Sequence, residues 1–159
     1  MVEDERRQSG ETGSEPRGRY DGVTMTVERR NVPGLAQPPG YTHLATVTDC
    51  RLVFVAGQVP LDELGELVGR DDPLAQARQC LRNLAACLAE AGAQPEDAVR
   101  TTIYVVATER ASLSQVWREL LGSELGAALR APATLVGVEQ LGYAGQLVEI
   151  ECTAAVPHA

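Results

Sequence analysis

Residues 73–92 read PLAQARQCLRNLAACLAEAG. Leu74, Ala77, Cys80, Leu81, Leu84, Cys87, Leu88 and Ala91 recur at helical spacing, so the stretch predicts an amphipathic helix with one apolar face. Pro73 suits its first turn, Asp71 or Asp72 can cap it, and Gly92 stops it. A helix that is apolar on one side needs a sheet to cover. AVRTTIYVVA (98–107) supplies an apolar strand directly after it. ASLSQVWRELLG (111–122) reads as a second amphipathic helix, with Leu113, Val116, Trp117, Leu120 and Leu121 on one stripe. Trp117 is expected in the core, and Ser112 with Gln115 has capping-box spacing.

Working outward, VTMTVERRNV (23–32), YTHLATVTD (41–49) and RLVFVAG (51–57) have the β-branched content and alternation of strands. PGLAQPPG (33–40) is a Pro/Gly loop. Only Asp49 and Cys50 separate the second and third strands, which predicts a tight hairpin. Residues 57–69 form a turn-rich excursion in which Gly65 suits a positive φ. ATLVGVEQL (133–141) and QLVEIECTAAV (146–156) are the last strands, joined through GYAG. The order β-β-β-α-β-α-β-β implies an α+β domain, with two helices on one face of a mixed six-stranded sheet. The other face is left bare. It is expected to carry Val53, Val55, Val136, Val148 and Ile150 or their alternates, and to serve as an interface between copies.

At 159 residues one domain is expected. Residues 1–22 are charged and rich in Gly and Ser, a composition that predicts a disordered tail, with a single domain over 23–157. The formal charge of −8 argues against nucleic acid or an anionic membrane as partner. No segment approaches a spanning helix, and the N-terminus has no apolar signal-like core, so a cytoplasmic location is expected. Cys50, Cys80, Cys87 and Cys152 form no CxxC pair and only two histidines exist, so neither a metal site nor a cofactor is expected. Cys80 and Cys87, two turns apart on one helix face, and Cys152 read as buried free thiols.

RLVFVAGQVPLDELGELVG, the helix that follows, DAVRTTIYVV, GYTH (40–43) and the closing VEIECTA together resemble the Rid family, also called YjgF, over about residues 24–156. The resemblance implies a chorismate-mutase-like trimer with small-molecule clefts at the subunit interfaces. Its founding members are enamine/imine deaminases. In these an arginine on the penultimate strand, in a P-A-R-[S/T] motif, grips the substrate carboxylate, and a glutamate on the last strand orients the attacking water. Carried over, the site comprises Tyr41, Gly57, Gln58 and Glu149, the last as acid/base. Here, however, RAPATLVGV (130–138) puts Ala133 or Thr134 where the arginine belongs. Arg130 lies across a proline, about 10 Å upstream along the chain.

Without that arginine, Glu149 would face a substrate carboxylate as like charge, which disfavours 2-imino acids and leaves neutral or cationic imines and enamines compatible. Two readings follow. One is weak or redirected imine/enamine hydrolysis. The other is a non-catalytic, small-molecule-sensing or partner-binding trimer. A ribonuclease is a third reading, which the acidic balance opposes. Glu149 and Glu151 share a strand face, where paired acids also occur as a solvated rim. His43 lies on the face of Tyr41 and Thr134 offers one hydroxyl. Tyr143 sits in the GYAG turn, and the amides of Gly57 and Gln58 could hold an anionic oxygen.

Overall fold

Of the 159 residues, the computed structural model describes residues 19–20 and 23–158, with side chains from Met25 onward. The expected tail, residues 1–22, lies outside the described residues except for β1 (Arg19–Tyr20), which pairs antiparallel with β2 (Val23–Thr24). β3 (Thr26–Arg30) and β4 (Leu44–Thr48) pair antiparallel through five residues each.

The main sheet is built from β5 (Arg51–Gln58), β6 (Ala98–Val106), β7 (Ala133–Val138) and β8 (Val148–Val156), in the order β5-β8-β6-β7. β6 and β7 run parallel and the other neighbours antiparallel. The parallel pair is connected through a helix, as a crossover between parallel strands requires.

Helix α1 spans Pro73–Glu90. The Asp72 carboxylate accepts from the amides of Leu74 and Ala75, both at 3.0 Å, so Asp72 is the cap. Gly92, at φ +74, ends the helix, and the Ala93 amide turns back to the Leu88 carbonyl at 2.8 Å. Helix α2 spans Arg110–Gly122, with Glu109 at its N-cap making no side-chain bond. The capping box expected at Ser112 and Gln115 is not formed, because the helix has already started and the Ser112 amide bonds to the Glu109 carbonyl within its first turn.

Both helices cover one face of the main sheet. Ala77, Cys80, Leu81, Leu84 and Leu88 of α1 and Val116 and Leu120 of α2 pack with Ile103, Val105, Val148, Ile150 and Cys152 in one buried cluster. Gln76 is also fully buried and ties α1 to the loop before β8: it donates to the carbonyls of Gly69 and Gly145 and accepts from the Leu147 amide at 2.6 Å.

Two helices on a mixed sheet were expected and are found. The single six-stranded sheet and the 49–50 hairpin were also expected, and the strand pairing differs. Asp49 turns the chain at φ 48, and β4 bonds back to β3 rather than forward to β5. Val27, Val47 and Ala45 share one face of that hairpin with Arg29, whose guanidinium donates to the carbonyls of Glu96, just before β6, and Ala98, its first residue. Burial lowers the pKa of Arg29, against the raising pull of Asp97 and Glu96.

Candidate functional site

Strand alternation sorts the residues of the main sheet onto two faces. In β6, Thr101, Ile103 and Val105 point at the helices, which leaves Arg100, Thr102 and Tyr104 on the uncovered face. The registers carry this across the sheet. Arg100 stands opposite Thr153, Thr102 opposite Glu151 on one side and Thr134 on the other, and Tyr104 opposite Glu149 and Val136. Of the residues expected on the bare face, only Val136 is there. Val53, Val55, Val148 and Ile150 pack on the helix side, so the uncovered face is mixed and polar rather than mostly apolar.

A cavity of about 450 Å³ opens on this face, lined among others by Phe54, Ala56, Arg100, Thr102, Glu151 and Thr153. The Tyr104 hydroxyl donates to Glu151 at 3.0 Å, and that carboxylate acceptor raises the phenol pKa. One Arg100 guanidinium nitrogen donates to the Thr134 hydroxyl at 3.0 Å. A cation therefore rests at the position that the sequence leaves without one.

Glu149 sits one row further along β8. The Gln146 side-chain amide donates to one of its carboxylate oxygens at 3.0 Å, while the Gln146 carbonyl oxygen accepts from the Tyr143 amide at 3.0 Å. The turn containing Tyr143 is thereby coupled to the orientation of Glu149. Gly57 faces the other oxygen: a Cβ at residue 57 would lie 1.9 Å from it. The glycine is the vacancy that the carboxylate fills, and it lies where the β5–β8 register shifts between Val55 and Gln58. The Gln58 side chain bonds locally to the Ala56 carbonyl at 3.0 Å.

Other sequence-predicted residues lie elsewhere. Ala133 alternates away from Thr134 and lines a second cavity, about 300 Å³, with Pro39, Tyr41, Ser114, Trp117, Arg118 and Leu135. There the Tyr41 ring meets Trp117 edge-on at 6.1 Å, and the Trp117 indole N–H donates to the Pro39 carbonyl at 2.9 Å. Trp117 is thus half-buried at a cavity wall rather than deep in the core. The His43 Nδ1 accepts from the Val32 amide at 3.0 Å, a bond within the loop joining β3 and β4. Arg130 is exposed, and its carbonyl accepts from the Thr42 hydroxyl at 3.1 Å. It lines neither cavity.

The thiols divide as well. Cys80 is buried, bonds to the Val148 carbonyl at 3.5 Å, and is pushed by burial to a pKa of about 12. Burial raises Cys152 to about 11. Cys50 and Cys87 are half-buried. Among the described residues, no helix is long and apolar enough to cross a membrane.

Arg100, Tyr104 and Gln146 of this arrangement went unread in the sequence, as did Thr102 and Phe54 of the cavity wall. The alternation of AVRTTIYVV already puts Arg100, Thr102 and Tyr104 on one face. What the sequence lacks is the parallel register that sets β6 beside Thr134. Gln146 carries no signal, being one polar residue in a turn.

A family model described as Endoribonuclease L-PSP matches residues 35–156. The chain is similar to the Rid-family protein YyfB of Yersinia pestis, of unknown function, at 34% identity over 82% of this chain and 98% of that one, with a TM-score of 0.69. It is also similar to protein DfrA of Myxococcus xanthus, at 33% identity over 72% of this chain and 83% of the relative. A third relative is the 2-iminobutanoate/2-iminopropanoate deaminase of Salmonella typhimurium, 32% identical over 83 residues that span 52% of this chain and 61% of the relative. The chain belongs to this family, the Rid (YjgF) proteins.

Proposed function

We propose that this Rid-family chain assembles as a homotrimer, takes a small molecule into clefts between its copies, and hydrolyses an imine or enamine there with Glu149 as acid/base. The observation that carries this reading is the Glu149 carboxylate, steered by Gln146 on one oxygen and seated over Gly57 on the other. Such a carboxylate can take a proton from water as it adds to the C=N carbon, then return it to nitrogen as ammonia leaves. One imine and one water give one carbonyl compound and one ammonia, so the reaction balances without a cofactor or metal. The deaminase name of the Salmonella relative points the same way. Assembly is supported by Phe54, 77% exposed, and Leu52 on the same strand, apolar groups that a partner would cover.

The test supplies imines from an amino-acid oxidase and follows ammonia release. Glu149→Gln should lower the rate by roughly 100-fold or more while the melting temperature holds. Equal rates in the two proteins would remove Glu149 from the chemistry, and light scattering that reports single chains would remove the clefts. The second reading, a non-catalytic small-molecule-binding trimer, is favoured by the placement of Tyr41, which lines the separate cavity at α2 with Trp117. A metabolite that raises the melting temperature, with no imine turned over, would favour it.

A further inference from the structure

The uncovered face of the main sheet carries one charge of each sign that its own chain leaves without an opposite. Arg100 is exposed and spends one guanidinium nitrogen on the Thr134 hydroxyl. Glu151 is half-buried and accepts from the Tyr104 hydroxyl at one carboxylate oxygen. Among the described residues, neither forms an ion pair.

The register explains why the two do not meet. Arg100 stands opposite Thr153 and Glu151 opposite Thr102, so they are diagonal neighbours on adjacent strands. Such a diagonal lies within reach of a long side chain. Arg100 leans the other way, toward β7, and its guanidinium comes to rest in the row of Thr134, Thr102 and Glu151. Two strand spacings, about 10 Å, then separate cation from acid. Each charge is braced by a neutral hydroxyl and held away from the other.

Whatever covers this face must bring an acid to Arg100 and a cation to Glu151. A second copy brings both, because each copy carries the complement of what the other lacks. Leu52 and Phe54, exposed on β5, add apolar area on the same side. Apolar contact is non-directional and sets no register, whereas opposed charges do. The chain also carries a formal charge of −8, so copies repel at long range, and opposite charges brought face to face offset that locally.

We propose that Arg100 of one copy pairs with Glu151 of the next across the uncovered sheets, and that this pair sets the register in which the copies assemble. This rests on the assembly reading above and adds the residues that decide it. The contact joins different positions on the two copies, so repeating it about a threefold axis closes a ring with three such pairs. The braces at Thr134 and Tyr104 keep both side chains in place, which lowers the entropy lost on pairing. The pair occupies the Arg100 end of the 450 Å³ cavity and leaves Glu149, in the next row, open.

The experiment reverses the charges. Light scattering on a dilution series gives the concentration at which the wild-type assembly falls apart. Arg100→Glu and Glu151→Arg, each alone, set like charges face to face and should raise that concentration roughly 100-fold or more. The chain carrying both reversals should return to within about 10-fold of wild type. The two positions are not paired within one chain, so such recovery comes from contact between copies. A neutral cycle accompanies it: Arg100→Met and Glu151→Gln should each weaken assembly about 3- to 5-fold, and the double variant should be no weaker than either. Should a reversed chain fail to fold by circular dichroism, the neutral cycle decides. Reversals that leave the assembly as tight as wild type, or neutral effects that simply add, overturn the pair and leave the assembly reading standing. Wild-type protein that runs as single chains at every concentration removes the assembly reading, and the pair with it.

Discussion

The two faces of the main sheet come from the same strands, and alternate residues of one segment do different work. On β8, Val148, Ile150 and Cys152 are buried under the helices, while Glu149, Glu151 and Thr153 point to the uncovered side. On β6, Ile103 and Val105 are buried, whereas Arg100 and Tyr104 reach Thr134 and Glu151. The covered face is apolar and makes the fold. The uncovered face holds both carboxylates, the guanidinium and the phenol, and contributes little to holding the chain together. Stability and chemistry are thus separated by a single step along the strand.

The largest expected effect tests that separation on two adjacent residues. Ile150→Ala should destabilise the protein by about 3 kcal/mol, because a fully buried branched side chain leaves a cavity. Glu151→Ala next to it should change stability by less than about 1 kcal/mol. Denaturant titration measures both. If the two costs are comparable, the faces are not divided as described.

The thiols give the same division in pH. Cys80 and Cys152 have folded pKa values of about 12 and about 11, raised by burial above the ordinary 9.0. A raised pKa means that the folded state holds the proton more tightly than the unfolded chain. Their contribution is complete below pH 9 and is lost as pH climbs toward 11 and 12. The melting temperature should therefore fall across that window, and should fall less steeply in Cys80→Ala when each protein is referenced to its own value at neutral pH. At mildly alkaline pH, an alkylating reagent should label Cys50 and Cys87 before Cys80 or Cys152.

On the uncovered face, Gly57→Ala should leave folding nearly intact, because what its Cβ meets is the movable end of Glu149. The activity proposed for Glu149 should drop roughly 10- to 100-fold as the carboxylate is displaced. Retained activity would mean that the seat over Gly57 is not the working position.

Helix α1, its cap at Asp72 and its stop at Gly92 were legible because spacing, capping chemistry and glycine are local signals. The strands of the main sheet were legible for the same reason, to within a few residues at their ends. The partner of β4 was not, since a two-residue gap looks alike whether the chain folds back on β5 or pairs with β3. Glu149 and Gly57, which the family resemblance names together, meet across the β5–β8 pair. What no local pattern gave was the parallel placement of β7 beside β6. Asking which residue replaces an arginine at 134 directs attention along the chain to Arg130. The charge comes from 34 positions upstream, through a parallel register between β6 and β7 that no local pattern encodes.

The smallest effect concerns Tyr104, and it isolates the uncovered face spectroscopically. Its hydroxyl donates to Glu151, and an ionised acceptor stabilises the protonated phenol, so the pKa lies above 10.0. Glu151→Gln removes that charge and should move the phenol down toward its ordinary value. The ultraviolet difference spectrum between wild type and Tyr104→Phe isolates this tyrosine from the other three. Because the bond lies on the uncovered face, Tyr104→Phe should cost no more than about 0.5–1 kcal/mol. A larger loss of stability would place Tyr104 in the contact between copies rather than in the open cleft. The same variant studied across a range of protein concentrations separates the two origins, because only a loss of assembly depends on concentration.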